Sequence, residues 1–299
     1  MSATSDTVRA MFKLGDEVRD AGLTTPADIV RHDDIRYAED DPWQLLDLYR
    51  PRDREGEVLP VIVSVHGGGW VYGDKERYQW YCMNLAQRGF AVVNFTYRLA
   101  PEHKFPASLE DTNAVIAWLL ANGARYECDT DNVFAVGDSA GAHMLCMYAA
   151  ACNDAAYAAA LGIRPPEGFS PSGVALNCGV YRIEPTTQKT GDMMLDLSAN
   201  LMKDLLPEGG TAQECDLISP IRRVTGDFPP AFVMTAEGDF LASEALPLVT
   251  RLMEQNVEVC FRYYKSAERE LGHVFHCNMR LEEATRCNDD ECAFFRSLV

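Results

Sequence analysis

Short, continuous apolar runs alternate along the chain with longer stretches in which apolar residues recur at helical spacing. A continuous apolar run of about 4–8 residues between turn residues is typical of a strand that is buried on both faces. Runs of this kind occupy residues 60–65, 91–97, 132–137, 173–178, 231–236 and 257–264. Helical patterns separate them, for example at residues 108–120 and 246–255. The alternation predicts an α/β fold, with a mostly parallel central sheet covered by helices on both faces.

Residues 1–40 have the pattern of a helical leader that gives way to more polar strands. The apolar residues at helical spacing in this leader are Val8, Met11, Leu14 and Val18. One such stripe predicts a helix that packs through a single face. Two half-buried strands are predicted next, near residues 35–38 and 45–49, and Pro51 ends the second.

Residues 181–228 interrupt the alternation, because they form a connection far longer than an ordinary crossover loop. Met193, Leu197, Leu201 and Leu205 follow one another within it at four-residue spacing, which predicts an amphipathic helix. The apolar face of that helix could pack on the body of the protein or close over a site, and a cap beside a site would do both. We therefore expect one domain over residues 1–299, with a cap made of residues 1–40 and 181–228.

Composition and charge narrow the range of partners. Hydrophobic residues make up 47% of the 299-residue chain, which is enough for a sizeable core, and the net charge is −18. An excess of acidic groups repels polyanions, so we expect neither nucleic acid nor an anionic membrane as a partner. No apolar stretch approaches the roughly 18 residues of a membrane span. A small molecule is the expected partner, and the sequence leaves a homodimer open.

The ten cysteines are scattered from Cys82 to Cys292, without a C-x-x-C pair or a cluster with histidine. This pattern indicates reduced, mostly buried thiols, and it disfavours a metal site. Residues 1–6 lack the basic and apolar regions of a signal peptide. The sequence therefore predicts a cytoplasmic location.

The strongest chemical signal is the G-x-S-x-G motif of residues 137–141, which directly follows a predicted strand and precedes a predicted helix at residues 140–151. In that context the serine, Ser139, lies on a tight turn that exposes its hydroxyl above the sheet. The helix N-terminus behind the turn favours developing negative charge. Ser139 is thus a candidate nucleophile, and the alternative is an ordinary glycine-bearing turn.

A second signal follows the strand at residues 60–65, where His66 precedes Gly67, Gly68, Gly69 and Trp70. Consecutive glycines let backbone N–H groups approach a ligand closely, and acyl transfer needs two or three such donors for its oxyanion. We assign them to Gly68, Gly69 and Ala140. His66 is expected to anchor this loop through hydrogen bonds.

Several motifs together resemble the hormone-sensitive lipase family of esterases. They are residues 66–70, the sequence YRLAPEH at residues 97–103, FPA at residues 105–107, and residues 137–141. The resemblance extends over residues 59–275 and implies an α/β-hydrolase core of about eight strands. It also implies a cap built from the N-terminal helices and the insert at residues 181–228. Two positions depart from the family pattern: Ala142 replaces a second glycine, and Phe240 replaces a proline that often follows the acid.

The catalytic base of this fold lies after the nucleophile and the acid in the sequence. Of the six histidines, those before residue 139 are His32, His66 and His103, and His143 lies within the helix after Ser139. Two candidates remain, His273 and His276. His273, in the sequence GHVF, matches the position of the family's catalytic histidine, and His276 is the alternative.

The acid is expected at the end of the strand at residues 231–236, which is followed by Glu237, Gly238 and Asp239. Asp239 matches the family's carboxylate, which would accept the Nδ1 proton of the histidine and fix its tautomer. Glu237 is the competing carboxylate. Asp138, next to the nucleophile, is expected to tie the turn to a neighbouring loop.

These residues predict a carboxylesterase that hydrolyses short-chain acyl esters through a Ser-His-Asp triad, without a cofactor. Candidates for binding the substrate are Trp70 and the stripe of the insert, namely Met193, Leu197, Leu201 and Leu205. One alternative is an amide hydrolase, because arylformamidases of this fold share the H-G-G-x-W sequence. Another is a ligand receptor, because plant gibberellin receptors resemble the family but lack its catalytic histidine, which this chain retains.

Overall fold

The apolar runs of the sequence form the centre of one sheet in the computed structural model, which describes residues 2–39, 42–185 and 193–299. Its strands are β1 (Ile29–Arg36), β2 (Leu45–Pro51), β3 (Leu59–Val65), β4 (Ala91–Phe95), β5 (Cys128–Asp138), β6 (Gly173–Asn177), β7 (Ala231–Ala236) and β8 (Val259–Tyr264). The helices are α1 (Ala3–Asp20), α2 (Lys75–Ala86), α3 (Ala107–Asn122), α4 (Ala140–Cys152), α5 (Ala155–Ala160), α6 (Met193–Leu205), α7 (Ala212–Leu217), α8 (Ala242–Glu254) and α9 (Glu282–Arg296).

Within the described ranges the strands form a single eight-stranded sheet in the order β1-β2-β4-β3-β5-β6-β7-β8. β2 pairs antiparallel with both β1 and β4, and every pairing from β4 to β8 is parallel. The predicted fold class, a mostly parallel sheet of about eight strands with helices on both faces, is therefore confirmed. The carboxyl ends of β3, β5, β7 and β8 meet along one edge, which is where the candidate chemistry lies.

Side chains of β3 show how the two faces of the sheet are covered. Val61 and Val63 are fully buried on the face that packs against α3, α4 and α8, and Ile62 is fully buried on the face of α2 and α9. Each such side chain contributes about 1.5–3 kcal/mol relative to an exposed one. The rigid sheet fixes the strand ends from which the loops of the site extend.

The N-terminal segment differs from the sequence prediction at β1. The predicted strand near residues 35–38 spans Ile29–Arg36 instead, and it pairs with β2. The strand is difficult to predict because its sequence, IVRHDDIR, is rich in charged residues. An edge strand can be half exposed, and pairing with its neighbour stabilises it more than intrinsic β-propensity does. Residues 29–36 therefore belong to the sheet, and the N-terminal contribution to a cap is shorter than residues 1–40.

The predicted leader helix exists as α1, and the members of its apolar stripe differ in exposure. Val8 is buried, whereas Met11, Leu14 and Val18 are 62%, 65% and 70% exposed. The helix is held by polar contacts instead. The Arg9 guanidinium donates to the carbonyl oxygens of Val71 and Ala100 at 2.7 and 2.9 Å.

These contacts fix α1 against the loop that follows β3 and against α6. Arg9 also pairs with Glu102, and this hydrogen bond lowers the pKa of the Glu102 carboxyl to about 2. The Ser5 hydroxyl donates to Asp204 on α6.

Among the helices that the structure describes, none combines the length and the apolar character that a bilayer crossing requires.

Candidate active site

Ser139 occupies the junction between β5 and α4, in a backbone conformation that few residues adopt. Its φ and ψ are 52° and −119°. A positive φ is uncommon for a residue with a side chain and persists only where surrounding contacts impose it. Here the Ser139 amide donates to the Asn177 carbonyl at 2.9 Å, and β3 and α4 hold the two sides of the turn. The serine hydroxyl is thereby placed above the carboxyl edge of the sheet.

The glycines around Ser139 are required by close contacts between backbones. A Cβ on Gly141 would lie 2.0 Å from the Val65 carbonyl oxygen at the end of β3. A Cβ on Gly137 would lie 2.7 Å from the backbone of Gly141. Neither neighbour is a flexible side chain that can move away. The first turn of α4 therefore packs directly on the backbone at the end of β3.

His273 connects Ser139 to Asp239 through two hydrogen bonds. The His273 Nε2 lies 3.0 Å from the Ser139 Oγ, and the His273 Nδ1 lies 2.7 Å from the Asp239 Oδ1. With its Nδ1 proton donated to the carboxylate, the imidazole presents an unprotonated Nε2 to the serine hydroxyl. The sequence separation is 134 residues between serine and histidine, so the fold alone brings these groups together.

A short parallel bridge aligns the acid with the base. Gly238 pairs with Gly272, and the Gly238 amide donates to the Leu271 carbonyl at 2.9 Å. Asp239 and His273 are the next residue in each segment. The bridge is separate from the ladder of β7 and β8, which ends at Ala236 and Tyr264, and it sets both side chains at the same level of the sheet edge.

Asp239 is surrounded by donors that keep it ionised. Its carboxylate accepts hydrogen bonds from the Thr235 hydroxyl at 2.7 Å and from the Leu241 amide at 2.9 Å, besides that from His273. Burial by itself raises the pKa of this carboxyl, but the hydrogen bonds outweigh burial, and the pKa is lowered. An ionised Asp239 is the state that can stabilise an imidazolium.

The alternative base and acid lie elsewhere. His276 is fully buried, with its Nε2 3.5 Å from the Cys277 Sγ, and burial lowers its pKa to about 3. Glu237 is exposed, and it accepts a hydrogen bond from the Ser266 amide. Neither residue has a hydrogen bond to the Ser139–His273–Asp239 chain.

Three backbone amides near Ser139 have no hydrogen-bond partner among the described residues: those of Gly68, Gly69 and Ala140. Gly68 and Gly69 have φ values of 120° and 61°, and a Cβ on Gly68 would lie 2.1 Å from the Tyr72 carbonyl oxygen. The loop can therefore adopt this shape only with glycine at position 68.

His66 holds the base of the glycine loop, as the sequence predicts. Its Nδ1 donates to the Gly67 carbonyl at 2.8 Å, and its ring stacks on Tyr97 with centroids 3.9 Å apart. Burial lowers the pKa of His66 to about 4, so the ring is neutral at physiological pH. Tyr97 in turn donates to the His66 carbonyl at 2.8 Å.

Trp70 has a structural environment rather than the substrate-binding one expected from the sequence. Its indole is 7% exposed, and the Nε1–H donates to the His143 Nδ1 at 3.2 Å. The other nitrogen of His143 donates to the Ile218 carbonyl at 2.6 Å. Burial lowers the pKa of His143 to about 4. The pair thus links the glycine loop to the insert at residues 181–228.

The stripe of the insert lies on α6, and its members have different surroundings. Leu201 is 9% exposed and approaches the glycine loop, since its Cδ1 would lie 3.6 Å from a Cβ on Gly69. Leu205 lies in the hydrophobic core and is only 2% exposed. Leu197 is half-buried and packs against that core. The Met193 side chain lies outside the described part of the chain. Leu201 is therefore a described member of the stripe that lies beside Gly69, one of the candidate oxyanion donors.

Two buried carboxyls that the triad does not use lie behind the turn. Asp138 accepts from the Gly67 amide at 3.1 Å and the Tyr78 hydroxyl at 2.8 Å, which ties the turn to the glycine loop as expected. Burial raises its pKa to about 6. The second buried carboxyl is that of Glu291. The sequence does not predict its burial, because α9 is rich in charged and polar residues.

Glu291 supports the strand that receives the Ser139 amide. It accepts hydrogen bonds from the Asn177 side-chain amide at 2.7 Å and the Tyr81 hydroxyl at 2.8 Å. Asn177 is the residue whose carbonyl binds the Ser139 amide. Burial raises the pKa of Glu291 to about 7, well above the ordinary range of glutamate.

Cys178, Asp239 and His273 place one potential metal-ligand atom each within 4.8 Å of one another. The absence of a metal site stays a prediction from the sequence. Burial and the neighbouring Asp239 raise the pKa of the Cys178 thiol well above its usual value. The remaining two residues are already bonded to each other.

Residues 62–277 match a protein-family model whose description is alpha/beta hydrolase fold. The chain belongs to the α/β-hydrolase family. Esterase LipC of Mycobacterium tuberculosis is 32% identical over 224 residues, which are 71% of this chain and 53% of that protein. Esterase LipQ of the same organism is 29% identical over 219 residues, covering 71% of this chain and 50% of the relative. The chain thus spans about half the length of these curated relatives.

Solved α/β-hydrolase structures resemble the chain over nearly its whole length. Esterase B of Lactobacillus rhamnosis has a TM-score of 0.88 at 28% identity, and the match covers 99% of this chain and 97% of that one. An esterase of Pyrobaculum calidifontis has a TM-score of 0.75 at 26% identity, with 100% and 94% covered. The resemblance to hormone-sensitive lipase family esterases, expected from the sequence motifs, is confirmed.

The contact at Gly141 yields a stability prediction for this α/β-hydrolase. Gly141→Ala should lower the free energy of unfolding by about 3 kcal/mol or more, because the methyl group meets backbone that cannot move. Gly15→Ala is the matched control, since a Cβ there meets nothing within 4 Å. It should raise stability by about 0.5–1 kcal/mol through helix propensity. Urea unfolding measures both, and equal effects would contradict the close contact.

The surroundings of Glu291 predict a pH dependence of stability. The folded protein holds the Glu291 proton up to a pKa of about 7, whereas the unfolded chain releases it near 4.5. The contribution of Glu291 to the free energy of unfolding is therefore fully present below about pH 4.5. It falls by roughly 3 kcal/mol at most as the pH rises to about 7. Glu291→Gln should remove that fall. Urea unfolding at pH 5 and 8 tests it, with Glu282→Gln, exposed on the same helix, as the control. An unchanged pH dependence in Glu291→Gln would contradict the buried acid.

Proposed function

We propose that this protein is a serine carboxylesterase that hydrolyses short-chain acyl esters, with Ser139, His273 and Asp239 as its catalytic triad. The observation that carries the proposal is the continuous hydrogen-bonded chain of these residues, with 3.0 Å from Ser139 to His273 and 2.7 Å from His273 to Asp239. A ligand receptor would need no such chain, so the geometry favours catalysis over that alternative.

In the proposed mechanism, His273 accepts the Ser139 proton while the serine oxygen attacks the ester carbonyl. Asp239 holds the imidazole in the required tautomer and stabilises the imidazolium that forms. His273 then protonates the leaving alcohol. Water attacks the acyl-enzyme with His273 again as the base, and the carboxylic acid departs. No other reactant is needed.

The amides of Gly68, Gly69 and Ala140 are the proposed donors to the oxyanion. Backbone donors held in place before the reaction stabilise the tetrahedral intermediate without a cost of reorganisation. Ala140 is the first residue of α4, so the N-terminal end of that helix adds a favourable potential. Asp138, His66 and the Trp70–His143 pair would keep the loop in place.

The comparisons support an ester as the substrate. The relatives LipC and LipQ are named esterases, as is esterase B of Lactobacillus rhamnosis. One esterase B structure is C6-C4 SN3 inhibited, and another is inhibited by a C4-C4 SN3 tributyrin phosphonate. Acyl groups of that size agree with the short-chain specificity proposed here.

The insert at residues 181–228, together with α1, is proposed to form a cap over the site. α1 and α6 contact each other through Ser5 and Asp204, and Arg9 joins α1 to the loop after β3. Leu201 on α6 is the proposed wall of the acyl pocket because it approaches Gly69. A cytoplasmic location is also proposed, and it is supported by ten cysteines that are all free thiols.

Removal of the nucleophile or the base tests the triad. Ser139→Ala and His273→Ala should each lower kcat/KM for an acetyl ester by roughly four to six orders of magnitude, since triad members act as a unit. His276→Ala should stay within about tenfold of the wild type, provided that circular dichroism shows a folded protein. A variant series in which His276→Ala is the more damaging histidine change would move the base to His276.

Acyl-chain preference tests the pocket wall. Each buried methylene adds about 0.8 kcal/mol until the acyl chain meets the wall, so kcat/KM should peak between acetyl and hexanoyl esters. Leu201→Ala should shift the optimum to longer chains with little effect on acetyl esters. Leu205→Ala, the same change one turn away in the core, should lower stability and leave the optimum in place. A preference for dodecanoyl esters, or an optimum that ignores Leu201→Ala, would contradict this assignment.

A further inference from the structure

Phe240 lies against the catalytic imidazole and is still open to solvent. Its ring centroid is 4.2 Å from that of His273, with the two planes inclined by 41°. Phe240 is 55% exposed, whereas the side chains of His273 and Asp239 are 15% and 0% exposed. The ring therefore forms part of the protein surface directly beside the partly exposed imidazole.

The position of this ring is set by the turn that holds the acid. The Asp239 amide donates to Ala236, the Ala242 amide donates to Asp239, and the Leu241 amide donates to the Asp239 carboxylate. Phe240 lies inside this bonded segment, at the position where related sequences often carry proline. The backbone that carries the ring is therefore held on both sides of Phe240.

The chemistry of ester cleavage identifies which part of a substrate approaches Phe240. The leaving alcohol must receive its proton from the His273 Nε2 and therefore passes within hydrogen-bond distance of the imidazole. The acyl group, in contrast, stays bonded to Ser139. A side chain packed against the imidazole is therefore a candidate contact for the alcohol portion of the ester.

We propose that Phe240 is a specificity-determining residue that binds the alcohol portion of the substrate and favours esters whose alcohol carries an aromatic ring. Two aromatic rings attract each other beyond the effect of buried area alone, by an amount that corresponds to roughly a three- to tenfold change in an equilibrium. The inference rests on the esterase function proposed above and adds a substrate class to it.

The test compares methyl, cyclohexylmethyl and benzyl acetate. All three give the same acetyl-enzyme, so differences in kcat/KM arise from acylation, in which the alcohol is still present. Benzyl and cyclohexylmethyl groups have similar size but differ in aromaticity. The variants are Phe240→Ala and Phe240→Leu, and the control is Tyr263→Ala, because Tyr263 on β8 is also 55% exposed.

For Phe240→Ala we expect kcat/KM to fall about tenfold for benzyl acetate and by less than about twofold for methyl acetate. Phe240→Leu should keep the activity on cyclohexylmethyl acetate and lose that on benzyl acetate. Tyr263→Ala should change none of the three. An equal fall for all esters would mean that Phe240 only shields the triad, and no change would mean that it contacts no substrate. Either result overturns the inference and leaves the esterase function standing. A wild-type protein that hydrolyses none of the three esters would overturn both.

Discussion

The contact between the end of β3 and the first turn of α4 is the constraint on which the site depends. At Gly141 the two backbones approach so closely that a methyl group would lie 2.0 Å from the Val65 carbonyl. Ser139, two residues before this contact, has a positive φ, and the glycine loop that follows β3 lies on the other side of the same contact. The candidate nucleophile and the candidate oxyanion donors are therefore positioned by one packing contact.

The base and the acid are positioned by an independent device, the bridge between Gly238 and Gly272. It joins the residue before Asp239 to the residue before His273 and so brings the two side chains together. Buried polar groups then support both halves from behind. Asp138 ties the glycine loop to the serine turn, and Glu291 holds Asn177, whose carbonyl binds the Ser139 amide. The site is thus preorganised by backbone geometry and by a second layer of buried hydrogen bonds.

The features that the sequence predicts correctly are those for which close packing directly dictates the local residue types. The strands of the parallel sheet are continuous apolar runs because both faces are buried, and the glycines around Ser139 are dictated by backbone contacts. Local sequence does not predict an environment that comes from distant parts of the chain. Met11, Leu14 and Val18 have the spacing of a core-facing stripe but lie in solvent, because α1 is held by Arg9 instead. The burial of Trp70 by His143, the strand β1 within a charged sequence, and the buried Glu291 likewise depend on partners that local pattern does not reveal.

The central claim is that Ser139 is an activated nucleophile within an intact triad, and covalent labelling tests it most directly. A fluorophosphonate reacts with a serine whose proton is removed by a neighbouring base, and the mass of the intact protein and of its peptides locates the adduct. We expect one adduct per chain, on Ser139, which forms in the folded protein and fails to form after unfolding in urea. Labelling at another serine, or labelling that survives unfolding, would contradict it.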